Sequence, residues 1–163
     1  MKTALYLLFG VLALLPLGGC AGLFAGTRPS DLGVTDGRLK PPSLTRNSVS
    51  SQADLHPEHP QRDYARIEPL PLIDGDPQRS WTELRAVLAT RPDISIVREE
   101  GGYLHAEART RWLRFVDDLE FWANPAAGVI ELRSASRLGR EDFGVNRERI
   151  EGLRAAYRQR PAQ

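Results

Sequence analysis

The strongest constraint on the fold is an alternation of apolar and polar side chains across residues 103–137. Three segments show it, Tyr103–Arg109, Trp112–Trp122 and Val129–Arg137, and turn residues separate them. Successive side chains of a strand point to opposite faces, so a period of two predicts strands that each have one apolar face. Short connections between consecutive strands favour antiparallel pairing. The pattern therefore predicts an antiparallel meander that buries one face.

Two helical stretches accompany these strands. Ser80 opens a capping-box pattern that predicts a helix to about Thr90, and Asn146 is the expected N-cap of a second helix that ends at about Arg158. Prolines within the segment Tyr64–Ile73 predict an edge strand or an extended arm there. Because the apolar face of a sheet must be covered, the order of elements predicts a two-layer α+β fold, an antiparallel β-sheet with two helices packed on one face.

Residues 1–20 have the features of an export signal. A basic start at Lys2 precedes an uncharged apolar run of about 12 residues, shorter than the roughly 20 that cross a membrane as a helix. Small residues follow and lead to Cys20, the one cysteine of the chain. This arrangement resembles the signal peptide of bacterial lipoproteins, which implies removal of residues 1–19 and acylation of Cys20, with palmitate among the acyl groups. An ordinary secretory signal, or an uncleaved anchor that contains a cysteine, is the alternative.

The same resemblance implies a location in the cell envelope, with the membrane as a partner through the N-terminal lipid and the domain facing the periplasm. Residue 21 is alanine rather than the aspartate associated with inner-membrane retention, so the outer membrane is favoured. Residues 20–46 are rich in Gly and Pro without an apolar period, which predicts a flexible tether. A random-coil tether of this length spans roughly 27 Å. The folded domain is then residues 47–160.

Charge and catalytic motifs narrow the function classes. A net charge of +1 gives no electrostatic support for nucleic-acid binding, although local clusters leave an anionic ligand open. The sequence has no nucleophile elbow and no metalloprotease motif. His56 and His59 adjoin prolines, which indicates a solvated loop, and His105 falls in a predicted strand. We therefore expect no metal, no cofactor and no identifiable catalytic residue.

Asp117 has the same parity as the apolar residues of its strand, so it is predicted to point into the core. A carboxylate in apolar surroundings is costly unless it is hydrogen-bonded or paired. Ser134 and Ser136 share the inward face of the last strand and are the expected partners, or else the N-terminal amides of the following helix are. A buried polar network is the favoured interpretation, and a general acid or base with a raised pKa is the alternative.

The outward face is predicted to be charged. Asp118, Arg133 and Arg137 belong to it, and cross-strand pairing of opposite charges predicts a solvated ladder that also includes Glu107, Arg114 and Glu131. The alternative is a ligand surface for a glycan or a peptide, flanked by Trp112 and Trp122.

A polar loop then leads into the last helix. Free helix amides together with Arg137, Arg140 and Arg147 offer an anion site, unless Asp142 neutralises those arginines. The candidate ligand or structural cluster therefore comprises Asp117, Asp118, Arg133, Ser134, Ser136, Arg137, Asp142, Asn146 and Arg147.

Three motifs carry a resemblance to a known family. They are Asn47-x-Val-Ser-Ser, Asp117-Asp-x-Glu-Phe and the long run Arg133-Ser-x-Ser-Arg-x-Gly-x-x-Asp-x-Gly-x-Asn-Arg-x-Arg-Ile. Over about residues 39–157 the chain resembles the DUF1499 family of uncharacterised proteins, found in bacterial envelopes and in plastid-bearing organisms. The resemblance implies a domain and no particular activity. Many members carry two cysteines where this chain has Pro41 or Pro42 and Ser48, and their joint absence suits an optional disulfide better than an essential nucleophile.

Together these features favour a lipid-anchored envelope protein with a non-enzymatic binding or scaffold domain. Its partner would be an envelope protein, a glycan or an anionic ligand at the arginine-rich corner. The alternative is a small envelope hydrolase that uses Asp117 or Asp118 with Arg133 and Arg137. A membrane-proximal spacer is a third possibility.

Overall fold

An antiparallel sheet of six strands organises the structure, a computed structural model that describes residues 22–159. The strand order is β1-β6-β5-β4-β3, and β2 pairs with β6 beside β1. The predicted α+β class and the antiparallel pairing are confirmed. The strands are β1 Ser48–Ser50, β2 Leu70–Pro71, β3 Ile94–Glu100, β4 Tyr103–Arg109, β5 Val116–Asn124 and β6 Val129–Ser136.

Three α-helices lie within the described residues: α1 Arg62–Ala65, α2 Pro77–Ala89 and α3 Val145–Gln159. Short 3₁₀ turns occupy Ala53–Leu55 and Ile73–Gly75. The start of α2 differs from the prediction because another residue supplies its cap.

Asp76 caps α2: its side chain accepts hydrogen bonds from the amides of Gln78 and Arg79 at 2.9 and 3.1 Å, and Pro77 follows as the first helical residue. Ser80 therefore lies inside the helix, where its hydroxyl accepts from the Ile73 amide at 2.7 Å. The predicted capping box at Ser80 is wrong for that reason.

Both long helices pack on one face of the sheet, called here the helix face. Leu119 and Phe121 of β5 point towards it, as do Ile130 and Leu132 of β6, in agreement with the predicted alternation. Burying a large apolar side chain contributes about 1.5–3 kcal/mol, so this layer supplies most of the hydrophobic stabilisation. The helices add Leu84, Val87, Leu88, Ile150, Leu153 and Tyr157.

Two predicted strands are shorter in the structure. β5 begins at Val116 because residues 110–115 form a loop, closed by the Thr110 amide donating to the Phe115 carbonyl at 3.0 Å. Tyr64 lies in α1, and of the segment Tyr64–Ile73 only Leu70–Pro71 pairs with β6.

The segment predicted as a flexible tether is packed on the domain over its described part, residues 22–46, which we call the N-terminal segment. It crosses the outer face of the sheet, opposite the helices. The Gly33 amide donates to Glu120 at 3.0 Å, the Leu39 amide donates to Gln52 at 2.8 Å, and Leu39 is buried. The tether prediction is corrected for these residues, because polar main-chain contacts and ion pairs hold them rather than an apolar stripe.

The predicted signal peptide, residues 1–19, and Cys20 lie outside the described residues. Within residues 22–159, no helix has both the length and the apolar character needed to span a bilayer.

Candidate functional site

Arg137 lies at the centre of a buried ionic network on the outer face. Its Nε and Nη2 donate to the two carboxylate oxygens of Asp118 at 2.8 and 2.6 Å, and Nη2 also reaches Glu107 at 2.6 Å. The Arg137 side chain is only 5% exposed. His105 Nε2 lies 2.7 Å from Asp118, and Arg28 of the N-terminal segment donates to Glu107 at 2.8 and 2.5 Å. One guanidinium therefore joins carboxylates of β4 and β5.

A second ionic centre lies beside the first on the same face. Arg133 donates to Glu120 at 3.2 Å, and the Tyr103 hydroxyl donates to Glu120 at 2.8 Å. Arg133 Nε also donates to the Pro41 carbonyl at 3.2 Å. We call the two centres together the outer-face network: Arg28, Tyr103, His105, Glu107, Asp118, Glu120, Arg133 and Arg137.

The predicted cross-strand pairing of opposite charges thus forms, but it is buried rather than solvated, because the N-terminal segment covers it. Two residues expected in this ladder lie elsewhere. Arg114 is exposed in the β4–β5 loop, and Glu131 accepts a hydrogen bond from the Ser51 hydroxyl at 2.6 Å.

Electrostatics keep this network charged. Burial by itself raises the pKa of Asp118, but hydrogen bonds from Arg137 and His105 outweigh it and leave that pKa below its usual value. The pKa of Glu107 is lowered in the same way, with burial opposed by Arg137 and Arg28. Hydrogen bonds to Asp118 and Glu107 raise the pKa of Arg137 in return, against the opposing effect of burial. Both carboxylates are therefore ionised at neutral pH.

On the helix face, Asp117 points inward as the alternation predicts, but its partner is Arg149 of α3. The Arg149 Nη2 donates to Asp117 at 2.6 Å, and both side chains are less than one tenth exposed. The expected serine partners are wrong because Ser134 and Ser136 bind Asn146 instead. The helical repeat predicts that Ile150 is buried, which puts Arg149 beside a buried position. It does not predict that Arg149 contacts Asp117, and only the structure shows that contact.

Asn146 joins the strands to the start of α3. Its side-chain nitrogen Nδ2 donates to Ser136 at 3.0 Å, to Asp142 at 2.8 Å and to the Asn47 carbonyl at 3.2 Å. Its side-chain oxygen accepts from Ser134 and from Arg149. Asn146 is fully buried, so this arrangement fixes how the helix meets the sheet.

Asp142, rather than Asn146, caps α3. Its carboxylate accepts from the amides of Gly144 and Asn146 at 3.0 and 3.2 Å, and from the Tyr64 hydroxyl. The N-cap prediction is wrong because the loop places Asp142 over the first turn, which begins at Val145. Burial and the hydrogen bond to Asp142 raise the pKa of Tyr64 to about 12.

The predicted anion site is not assembled at this helix terminus. The carboxylate of Asp142 already occupies the free amides, Arg137 is held in the outer-face network, and Arg147 donates to the Tyr64 carbonyl at 2.5 Å. Arg140 remains on the exposed surface.

Apart from Arg28, the residues of this site lie in a part of the chain that matches a family model. The family model DUF1499, described as a protein of unknown function, matches residues 38–157. The chain belongs to the DUF1499 family. Neither the search of curated proteins nor the search of solved structures found a match. The match begins inside the N-terminal segment, so the part of that segment from residue 38 onwards is included in the DUF1499 domain.

Cavities adjoin both carboxylates of the Asp117–Asp118 pair of the DUF1499 domain. One of about 340 Å³ lies between the N-terminal segment and the outer face, and Asp118, Arg133 and Arg137 line it. The other, about 270 Å³, is lined by Asp117 and Phe143 among others. Asp117 and Arg137 therefore face different cavities, because they belong to opposite faces of the sheet.

The remaining candidates lie apart from the network. Trp122 is half-buried beside Gly37, whereas Trp112 is 69% exposed at the other end of the sheet, so the two do not flank one surface. His59 accepts a hydrogen bond from the Gln61 amide at 3.1 Å. Within residues 22–159, no group of three or more His, Cys, Asp or Glu side chains is arranged to hold a metal ion.

Proposed function

We propose that this protein is a lipid-anchored component of the cell envelope and that its DUF1499 domain is a non-catalytic binding or scaffold domain. One observation carries the second part: the four buried carboxylates of the sheet, Glu107, Asp117, Asp118 and Glu120, each bind an arginine. Their arrangement suits a structural role on both faces of the sheet.

A catalytic acid or base needs a pKa near the working pH and access to the proton it moves. Asp118 is ionised, its side chain is 2% exposed, and its oxygens already accept from Arg137 and His105. Removing one partner of such a buried pair leaves an uncompensated charge, which costs about 3–5 kcal/mol. The network therefore stabilises the fold by holding its elements together, and we call this role a clamp.

The first part of the proposal rests on residues 1–20. A basic start, a short apolar run and small residues before a lone cysteine support cleavage before Cys20 and its acylation. Anchoring by more than one acyl chain is stable. We accordingly place the domain on the periplasmic side of the envelope, with the outer membrane favoured by Ala21.

An Asp118→Asn variant tests the non-catalytic role. A structural carboxylate predicts that the variant loses about 3 kcal/mol of unfolding free energy, measured by urea denaturation. A catalytic carboxylate predicts unchanged or increased stability, because active-site residues are often selected at the expense of stability. Asp63→Asn is the matched control, since its surface pair with Arg62 contributes at most about 1 kcal/mol.

Anchoring is tested separately in cells. Globomycin, which inhibits lipoprotein signal peptidase, should make the precursor accumulate, and labelled palmitate should enter the wild type but not Cys20→Ser. Processing that ignores globomycin, with no palmitate in the wild type, would indicate an ordinary secretory signal and defeat this part of the proposal.

The alternative, a small hydrolase that uses Asp117 or Asp118 with Arg133 and Arg137, has one observation in its favour. Asp117 lines the cavity of about 270 Å³, which is large enough for a small ligand. In this alternative Asp117 would have to release Arg149 during the reaction. An Asp117→Asn variant as stable as the wild type would favour the hydrolase over the clamp.

A further inference from the structure

Two loops and the chain's N-terminal segment meet at one end of the sheet. The β4–β5 loop, residues 110–115, and the β6–α3 loop, residues 137–144, lie at the same end because Arg109 pairs with Val116 and Asp117 pairs with Ser136. The N-terminal segment reaches them at two points, described next.

Phe24 packs on the β4–β5 loop, with its ring centre 5.4 Å from that of Phe115. Gly26 lies against the β6–α3 loop so closely that a Cβ there would be 2.8 Å from the Cβ of Arg137 and 3.1 Å from Cγ of Leu138. The described chain therefore begins at this end of the domain.

Large apolar side chains are exposed at the same end. Phe143 is 89% exposed, Leu23 72% and Trp112 69%, and Leu138 and Val145 are each about two fifths exposed. Clusters of this kind on a protein surface mark places where something else binds. We call this surface, formed by Leu23, Trp112, Leu138, Phe143 and Val145, the apolar end.

The backbone presents Phe143 outward at a conformational cost. Its φ is +53°, a left-handed conformation that favours glycine, and Gly144 follows with φ +85°. The Asp142 carboxylate, which accepts from the Gly144 amide, holds this turn in place. The backbone of Phe143 is therefore strained although its side chain packs on little of the folded domain. This combination indicates that the side chain contacts something outside the domain.

Three exposed arginines lie in the loops that form the apolar end, where the exposed acidic residue, Glu141, pairs with Arg46. Arg111, Arg114 and Arg140 are exposed in the same two loops, and within residues 22–159 none of the three forms an ion pair. The guanidinium of Arg111 lies 5.1 Å from the centre of the Trp112 ring. Aromatic and aliphatic side chains with arginines around them are typical of surfaces that enter the headgroup region of a membrane containing anionic lipids.

We propose that the apolar end docks on the phospholipid bilayer that holds the acylated Cys20. This inference rests on the proposed lipid anchoring. Phe24 lies four positions after Cys20, and an extended chain covers at most about 3.5 Å per residue, so the anchor residue lies within about 14 Å of the Phe24 Cα atom. The anchor therefore brings this end of the domain to the membrane, and the segment that was predicted to hold the domain at a distance is instead part of it.

In this geometry Phe143 and Trp112 enter the boundary between headgroups and acyl chains, and Arg111, Arg114 and Arg140 face the phosphates. The hairpin turn between β5 and β6, which includes Ala126, points away from the bilayer, because it lies at the opposite end of the same strands.

Two single-cysteine labels test the orientation. Phe143→Cys and the control Ala126→Cys are made in the full chain, whose Cys20 is blocked by acylation, and each is labelled with an environment-sensitive fluorophore. The lipidated proteins are placed in vesicles of phosphatidylethanolamine and phosphatidylglycerol with brominated acyl chains. We expect blue-shifted, bromine-quenched emission from residue 143 and water-like emission from residue 126. Water-like emission from both positions would overturn the docking inference.

Failure of anchoring is distinguished by measuring palmitate in the same preparations. If Cys20 carries none, the proposed anchoring fails, and the two labels are compared in a Cys20→Ser background after mixing with the same vesicles. Docking then still predicts a shift at residue 143 alone, and its absence overturns the inference. A disulfide-linked dimer of Phe143→Cys would show that a second copy covers this end, and would also overturn it.

Loss of affinity gives an independent measure. In the Cys20→Ser background, Phe143→Ser combined with Trp112→Ser should lower the partition coefficient into anionic vesicles at least about tenfold, because burial of two large aromatic side chains is lost. Leu55→Ser, which removes an exposed leucine elsewhere on the domain, should leave partitioning unchanged. Equal partitioning of the double variant and the parent chain would contradict docking.

Discussion

Asp117 and Asp118 are neighbours in β5, yet they bind arginines on opposite faces of the sheet. Asp117 accepts from Arg149 of α3 at 2.6 Å, and Asp118 accepts from Arg137 at 2.8 and 2.6 Å. Adjacent residues of a strand point in opposite directions. Asp117 therefore binds α3 on the helix face, and Asp118 binds Arg137, directly after β6, on the outer face. The two networks are separate, so they can be tested separately.

A double-mutant cycle measures the pair on the helix face. Asp117→Asn and Arg149→Met should each lower the unfolding free energy by about 3 kcal/mol, because each leaves a buried charge without its partner. The double variant should lose clearly less than the sum of the two single losses, since no unpaired charge remains. Urea midpoints at constant m-value supply the three differences. Additive losses would mean that Asp117 and Arg149 do not stabilise each other.

The parity of the apolar pattern was enough to predict the faces of these residues but not their partners. Leu119 and Phe121 fall on the helix face and Asp118 on the outer face, as predicted, because strand geometry has a fixed period. Arg149 lies 32 positions beyond Asp117. Which long side chain reaches a carboxylate depends on how the helix crosses the sheet, and a local period contains no information about that crossing.

The outer-face network makes stability depend on pH. The pKa values of Asp118 and Glu107 in the folded protein lie below their ordinary values of 3.8 and 4.5, so in acid the unfolded chain binds protons before the folded chain does. The stabilisation that these two carboxylates give to the folded state is therefore fully present above their pKa values in the unfolded chain. It is lost as the pH falls through their pKa values in the folded protein. Wild-type unfolding free energy should therefore fall as the pH drops below about 5.

Asp118→Asn removes one of these titrating groups, so its stability should depend less steeply on pH over the same range. Urea denaturation at a series of pH values, with Asp63→Asn as the surface control, measures both slopes. Identical slopes for the wild type and Asp118→Asn would show that Asp118 does not titrate differently in the two states.

The N-terminal segment was the largest error of the sequence-based prediction. Its glycines and prolines lack an apolar period, which is typical of a flexible chain. The segment is held instead by contacts that have no period, such as Arg28 with Glu107 and the Gly33 amide with Glu120. These contacts become possible only when the sheet presents its buried carboxylates, so composition alone predicted mobility where the structure shows packing.

Gly26 offers a test of that packing. Gly26→Ala adds a Cβ only 2.8 Å from the Cβ of Arg137, and it should detach the segment locally, so the Gly33 amide should exchange its hydrogen faster. Gly22→Ala is the matched control: its φ of +76° is similarly unfavourable for alanine, but nothing lies within 4 Å of the added atom. Hydrogen exchange read by NMR compares the two. Equal exchange at Gly33 in both variants would mean that the segment does not depend on this close approach.

The cap of α3 gives the last prediction, because Asp142 combines several contacts in one carboxylate. Asp142→Ala removes the acceptor for the Gly144 and Asn146 amides and for the Tyr64 hydroxyl, so it should cost at least about 1–2 kcal/mol of unfolding free energy. Asp142→Asn keeps one acceptor oxygen and should cost less. Urea denaturation measures both losses, and Glu58→Ala on the exposed surface should change stability very little. A loss that is no greater for alanine than for asparagine would show that the carboxylate does not cap the helix, and that the turn presenting Phe143 is fixed by other contacts.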